Sequence, residues 1–290
     1  MITRDVNVGA VADLALSPPR AALAAVDDGE ILLLPVHVTL EEPPDPASST
    51  RIVQLPAGSA DLTDRPVVVV ADDGPQWFRL RSLTIRGTAR ALGNDTYRVT
   101  PDRIVAWDYG ALREVPDRPA TPDRQPAAVS AAAEQEDGPA LDSPKLQAAV
   151  DKSRVMVLAT RSRKGTAFAV PLWFVPHQGR LYATTSASSW TVRNLAATSR
   201  VALLLGGEGG DKGSRLLVHG SARAVLAMPP PEVLARIAWR YYLRPRFAAV
   251  ELSHIGLWLL RMRYYGQSRP AYIVITPQTA TEHGLPQAQV

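Results

Sequence analysis

Ser82-Leu83-Thr84-Ile85-Arg86-Gly87-Thr88-Ala89-Arg90-Ala91 and Arg215-Leu216-Leu217-Val218-His219-Gly220-Ser221-Ala222-Arg223-Ala224 are two versions of one phrase. Each carries a central glycine, then a hydroxyl residue, then Ala-Arg-Ala. Working outward, Arg65-Pro66-Val67-Val68-Val69-Val70 matches Arg200-Val201-Ala202-Leu203-Leu204-Leu205. Further upstream, Leu34-Pro35-Val36-His37-Val38 matches Val170-Pro171-Leu172-Trp173-Phe174. Three matches in the same order, at a nearly constant offset of about 135 residues, indicate one fold duplicated and fused. A fused pair can build a site at the seam, where each half contributes different residues.

The chain of 290 residues has room for two domains, each with its own core. Hydrophobic content of 46% and charged content of 21% describe a folded globular protein. No apolar run approaches the ~20 residues that cross a bilayer. Met1-Ile2-Thr3-Arg4-Asp5-Val6 lacks the basic and apolar blocks of a signal peptide. A cytoplasmic protein with no membrane partner is expected. With no cysteine, a disulfide framework, a thiolate metal site and a cysteine nucleophile are all excluded. The net charge of +4 is small and the basic residues are scattered, so no nucleic-acid partner is expected.

Residues 1–115 read as the first domain, 116–143 as a Pro- and Ala-rich linker, and 144–290 as the second domain. In the first, Ala21–Val26 and Ile31–Leu40 flank the turn Asp27-Asp28-Gly29, and Val67–Ala71 and Trp77–Ile85 flank Asp72-Asp73-Gly74-Pro75. Thr96–Thr100 and Ile104–Asp108 complete it. In the second, Ser143-Pro144 opens a short helix. Strands follow at Val155–Arg161, Ala167–Val175, Arg180–Thr184, Val201–Leu205 and Leu216–Leu226. A short helix is expected near Ser189–Ala196 and a longer one at Pro231–Tyr241, and Leu257–Arg263 and Ala271–Thr276 read as closing strands. The sum is an antiparallel, mainly β unit, twice. Closing each small sheet into a barrel would remove its exposed edges.

The ordered pieces of the second domain resemble a known family. They are Val157-Leu158-Ala159-Thr160, Gly165, Ala169-Val170-Pro171-Leu172-Trp173-Phe174, Gly179-Arg180-Leu181-Tyr182-Ala183-Thr184-Thr185-Ser186, Val192-Arg193-Asn194-Leu195, Ser199-Arg200-Val201-Ala202-Leu203 and Val218–Arg223. Together they are similar to the pyridoxamine 5'-phosphate oxidase-like flavin-binding split barrels, deazaflavin-dependent reductases included, over about Asp151 to Leu226. The resemblance implies two tandem split β-barrels paired as an intramolecular pseudo-dimer, since family members are usually homodimers with flavin at the interface. It implies FMN or the deazaflavin F420 as cofactor and a small organic substrate. The ring would lie along Val170-Pro171-Leu172-Trp173, and Trp107 of the first domain would close on it. Thr184, Thr185, Ser186 and Ser189 would lie near a phosphate.

The residues themselves leave alternatives open. Alternation of Val170, Leu172 and Phe174 also suits plain strand core. Hydroxyls before a helix also serve as turn and N-cap. The family commonly has Lys where this chain has Thr191, and often Arg where it has Trp190. A phosphate would then need another cation: Arg193, Arg161 or Arg215, or Arg79 and Arg81, which alternate with Phe78 and Leu80 and would share one strand face. Trp190 could stack on a planar ligand or fill its place.

The aromatic and basic groups Trp239-Arg240-Tyr241-Tyr242 and Arg261-Met262-Arg263-Tyr264-Tyr265 could form a mouth over the cofactor, although helical spacing of Leu234, Ile237, Ala238 and Tyr241 suits packing. No histidines stand at metal-ligand spacing, so no metal site is expected. Three function classes stay open: a flavin- or F420-dependent oxidoreductase; a haem-binding split barrel with His254 as the first axial candidate; and a non-enzymatic ligand-binding protein that has lost its flavin.

Overall fold

The computed structural model describes residues 2–3, 5–41, 50–114, 143–207, 213, 215–243, 245–266 and 269–284. The expected linker, except Ser143, lies outside them.

The first unit contains β1 (Ile2–Thr3), β2 (Asp5–Val6), α1 (Ala12–Leu16), β3 (Arg20–Asp27), β4 (Glu30–Pro35), β5 (His37–Leu40), β6 (Arg51–Gln54), β7 (Pro66–Asp72), β8 (Arg81–Gly93), β9 (Thr96–Asp108) and β10 (Arg113–Glu114). The second contains α2 (Pro144–Lys152), β11 (Val155–Arg161), β12 (Ala167–Trp173), β13 (Val175–His177), β14 (Arg180–Ser186), α3 (Trp190–Leu195), β15 (Arg200–Leu205), β16 (Arg215–Val225), α4 (Pro231–Tyr241), α5 (Pro245–Ser253), α6 (Trp258–Gly266) and β17 (Pro270–His283).

The duplication is visible in the wiring. The first sheet runs β4-β3-β7-β8-β9-β6-β5, with β2 beside β9, and the second runs β12-β11-β15-β16-β17-β14-β13. These are the same path, and every pairing is antiparallel. In each unit one bent segment supplies both ends of the path: β4 then β5, and β12 then β13. Each sheet therefore curls into a split barrel, which shields its edges. The bends fall at Val36 and Phe174, where single strands had been expected from Ile31 to Leu40 and from Ala167 to Val175.

The central glycines of the repeated phrase explain themselves here. A register shift falls between Arg86 and Gly87 on β8 and between His219 and Gly220 on β16. A Cβ at Gly87 would run into the carbonyl of Thr100, and one at Gly220 into that of Thr276. Pro101 and Pro277 follow those carbonyls, so β9 and β17 are equivalent strands.

Side-chain alternation divides each sheet between two cores. Leu23, Val69, Leu83 and Ile85 fill the first barrel, and Met156, Leu158, Leu203 and Val218 fill the second. A third cluster is shared: Ala22, Ala24, Val68 and Val70 from the first unit meet Val157, Ala159, Ala169 and Leu204 from the second. The halves thus pack face to face through small and branched residues. Arg20 pins this seam. Only 3% exposed, it pairs with buried Asp72 and donates to Val155 O (3.0 Å) and Gly206 O (3.4 Å) of the second unit. At the rim, Glu30 pairs with Arg200 across the units.

Two expectations are corrected. Trp77–Arg79 is a 3-10 turn, not the start of a strand. Arg79 N bonds to Gln76 O, and Asp73 Oδ1 accepts from Arg81 N, which turns the chain before β8 begins. Arg79 and Arg81 therefore do not share a strand face. Leu257–Arg263 is not a strand either: a 3-10 turn at Ile255–Leu257 leads into α6, and α5 precedes it. β16 and β17 pair directly, so the intervening chain has no place in the sheet. It forms a helical insert instead. The insert reaches back to the first unit, where Val250, Leu257 and Leu260 pack with Phe78 and Leu112.

Candidate functional site at the seam

β12 is the edge strand that carries most of the expected ring-binding residues, and its alternation splits them. Ala167 and Ala169 belong to the shared seam core. Phe168, Val170 and Leu172 take the other face, where Leu172 packs toward the second barrel's own core. Pro171 and Trp173 fall with the alanines. Trp173 stacks on Tyr241 (4.3 Å between centroids, 7° between planes) and meets Tyr242 edge-on. Trp173 is thus held by the helical insert, apart from Val170 and Leu172. Tyr241 is 1% exposed, and its hydroxyl accepts from Phe174 N (3.0 Å) while lying 2.6 Å from the carbonyl oxygens of Phe174 and Arg154. It is a packing residue and not part of a mouth.

The strand β14 ends on Thr184, Thr185 and Ser186, opposite Tyr272, Ala271 and Pro270 of β17. Thr184 is exposed and the other two are half-buried. Ser186 Oγ lies 2.9 Å from Ser188 Oγ, and Ser189 Oγ accepts from Val192 N as the N-cap of α3. The run between β14 and α3 is therefore built as turn and cap, with Thr184 exposed beside it.

At the start of α3 the departures acquire a geometry. Thr191 is 8% exposed and packs inward beside fully buried Val192. Trp190 is 50% exposed. Its ring stacks on Phe168 (5.5 Å, 19°), and the Arg193 guanidinium lies 4.6 Å from its centroid. Arg193 also donates to Ser188 O at 3.1 Å. On Phe168 rests the guanidinium of Arg86, 4.4 Å from the ring centre. Arg86 belongs to the first unit. A run of contacts, Arg86 to Phe168 to Trp190 to Arg193, therefore crosses from one barrel to the other.

Arg86 is one of a row. It stands opposite Arg103, Thr84 stands opposite Val105, and Ser82 stands opposite Trp107. Residues opposite one another share a face, and that face turns to the seam: Val68 and Val70, opposite Arg86 and Thr84 on β7, lie in the shared core. Trp107 and Arg86 are thus on one surface, about 14 Å apart along the strands at ~3.4 Å per residue. Burial and the neighbouring Arg103 charge both pull the Arg86 pKa down.

The other expected cations are placed differently. Arg81 is held by Asp13 and Asp73, and those bonds push its pKa up. Arg215 is 3% exposed and bonds to Gly213 O. Arg161 reaches the Gly29 turn of the first unit. His254 stacks on Phe78 (5.0 Å, 5°), and its Nδ1 contacts Val250 O at 2.9 Å and Ser253 Oγ at 3.0 Å. It sits on the helical insert and not among the β12 and α3 residues. Among the described residues no group of three or more His, Cys, Asp or Glu could hold a metal, and no helix is long and apolar enough to cross a membrane.

Sequence reasoning passed over Phe168, Arg86 and Arg103. A signal for Arg86 was present: it stands in the repeated phrase where its twin has His219.

Residues 143–271 match the family described as Pyridoxamine 5'-phosphate oxidase. Similar solved structures include a putative pyridoxamine 5'-phosphate oxidase from Listeria innocua (14% identity, TM-score 0.33), covering 48% of this chain and 94% of its own. The heme storage protein HutZ from Vibrio cholerae is 18% identical (TM-score 0.35), over 49% of this chain and 93% of its own. An F420 reductase is 18% identical (TM-score 0.34), over 47% of this chain and 94% of its own. A search of curated proteins gave no match.

Proposed function

We propose, from the premise that this chain is a tandem pyridoxamine 5'-phosphate oxidase-like split barrel, that its seam binds a flavin or deazaflavin cofactor for redox chemistry on a small organic substrate. The observation that carries the reading is the cross-seam run Arg86, Phe168, Trp190 and Arg193. It gathers two stacked aromatic rings and two guanidinium groups at the meeting of both units, a combination that suits a planar anionic ligand.

The residues fit such a group in part. Phe168, Val170 and Leu172 line one face of the edge strand, Thr184 to Ser186 supply hydroxyls beside it, and Trp107 shares the opposing surface with Arg86. Trp190 occupies part of that space, so a bound ring would stack against it or turn it outward. When bound, the cofactor would supply the hydride or electron chemistry. The chain's own residues bind it, orient its plane and exclude water from it.

The test is the visible absorption spectrum of the purified protein, before and after adding FMN, F420 or haem. A bound flavin or deazaflavin band, weakened by Trp107→Ala in the full chain, supports the reading. A Soret band moves the assignment to haem and makes His254 the first ligand to replace. If no chromophore binds, Trp190 is a permanent occupant and the protein is not a flavin enzyme.

A further inference from the structure

The duplication provides an internal control for every seam residue, because each has a twin at the second, pseudo-symmetric seam. Arg86, Arg103 and Trp107 correspond to His219, Thr279 and His283, since His219 stands opposite Thr279 and Arg215 opposite His283. Phe168 corresponds to Leu32. The same strands in the same register thus tolerate a neutral pair where the first seam has two arginines. The fold does not require charge at this position.

The arginine pair is costly where it stands. Like charges directly opposite on neighbouring strands repel, and Arg86 is half-buried. Arg20, Arg65, Arg81 and Arg200 each have a carboxylate partner. Among the described residues neither Arg86 nor Arg103 has one, and the Arg86 guanidinium rests on the Phe168 ring. Thr84 and Val105, the next pair on the same face, supply a hydroxyl and an apolar contact but no acid.

We infer that Arg86 and Arg103 of the first unit form an anion site at this seam and receive a phosphate group of the bound ligand, the role that Thr191 cannot fill from α3. The inference rests on the cofactor reading above for the ring but not for the anion. Two guanidinium groups present several fixed N–H donors, the arrangement that recognises phosphate oxygens. Phe168 packs against the Arg86 guanidinium and would help to hold it in place for the phosphate. The first unit then contributes charge to a site whose aromatic faces come from the second, and the His219 seam lacks that charge. One site per chain follows.

The experiment titrates the full-length protein with FMN, riboflavin and inorganic pyrophosphate, reading flavin fluorescence for the first two and thermal melting for the third. Wild type should bind FMN about 10- to 100-fold more tightly than riboflavin, as expected for charge-assisted contacts to a phosphate. Arg86→Leu with Arg103→Leu should erase that preference, and Arg86→Lys should keep part of it. Equal binding of FMN and riboflavin by wild type, or a preference that survives the double substitution, overturns the inference. Should no flavin bind at all, the ring assignment fails separately. Pyrophosphate would then still raise the melting temperature of wild type and not of the double variant if the anion site is real, and no shift in wild type would refute it. His219→Leu with Thr279→Leu at the twin seam is the control for fold damage and should leave every affinity in place.

Discussion

Arg20→Met tests how the two barrels are held together. Arg20 bonds to both oxygens of Asp72, through Nε at 3.0 Å and Nη2 at 2.5 Å, and both side chains are 2% exposed. Its remaining nitrogen donates to two carbonyls of the other unit. Methionine keeps much of the volume but leaves the Asp72 carboxyl buried without a counter-charge. Removing one partner of a buried pair costs about 3–5 kcal/mol. Burial already raises the Asp72 pKa, so protonation limits the penalty and places the expectation near the lower bound, about 3 kcal/mol. Replacing both partners, as Arg20→Met with Asp72→Leu, should recover most of the loss. Urea unfolding followed by tryptophan fluorescence measures both. A loss under about 1 kcal/mol in the single variant, or a double variant no better than the single, would refute the claim that this pair is a desolvated seam contact.

Three further outcomes are expected. Gly87→Ala and Gly220→Ala should each destabilise by about 1–3 kcal/mol, because the new methyl meets the backbone of Thr100 or Thr276; thermal melts showing a loss at only one of them would break the equivalence of the bulges. Tyr241→Phe should cost about 1–3 kcal/mol through the orphaned Phe174 amide and the lost carbonyl contacts, read by denaturant midpoint. His219 has its pKa lowered by burial first and by His283 second, so the folded state binds its proton more weakly than the unfolded state does. The stability it contributes is present above the ordinary histidine value near 6.5 and falls as pH drops below it. His219→Gln should flatten the fall in urea midpoint between about pH 7.5 and 5, and an unchanged slope would remove His219 as its source.

The fold was legible where one physical rule controlled the chain. Val155–Arg161 and Val201–Leu205 read as strands because they are short apolar runs bounded by turn residues, and the duplication fixed their order. Leu257–Arg263 misled because Trp, Leu and Met suit either a strand or a helix. What decides it is that β16 already pairs with β17, a contact between segments distant in sequence. Val170 and Leu172 were legible as one face of a strand, although its place at the sheet edge was not, and alternation alone separates them from Trp173. Arg86 and Arg103 were not, because their meaning depends on being opposite each other with no acid nearby. Neither fact is local in sequence.

The helical insert also sets the two barrels different folding problems. In the first, β8 and β9 are joined by the turn Asn94-Asp95, where both residues take positive φ. In the second, residues 226–269 intervene between the equivalent strands. A loop roughly twenty-fold longer raises the entropy cost of closure by about 3 kcal/mol on the logarithmic rule. The central hairpin of the first barrel can therefore form early from local contacts, whereas that of the second must wait for a distant strand. A first barrel that closes early would present Ala22, Ala24, Val68 and Val70 as a ready surface. The slower half could then assemble against it, so that the pairing of the two barrels becomes an ordered sequence of events within one chain.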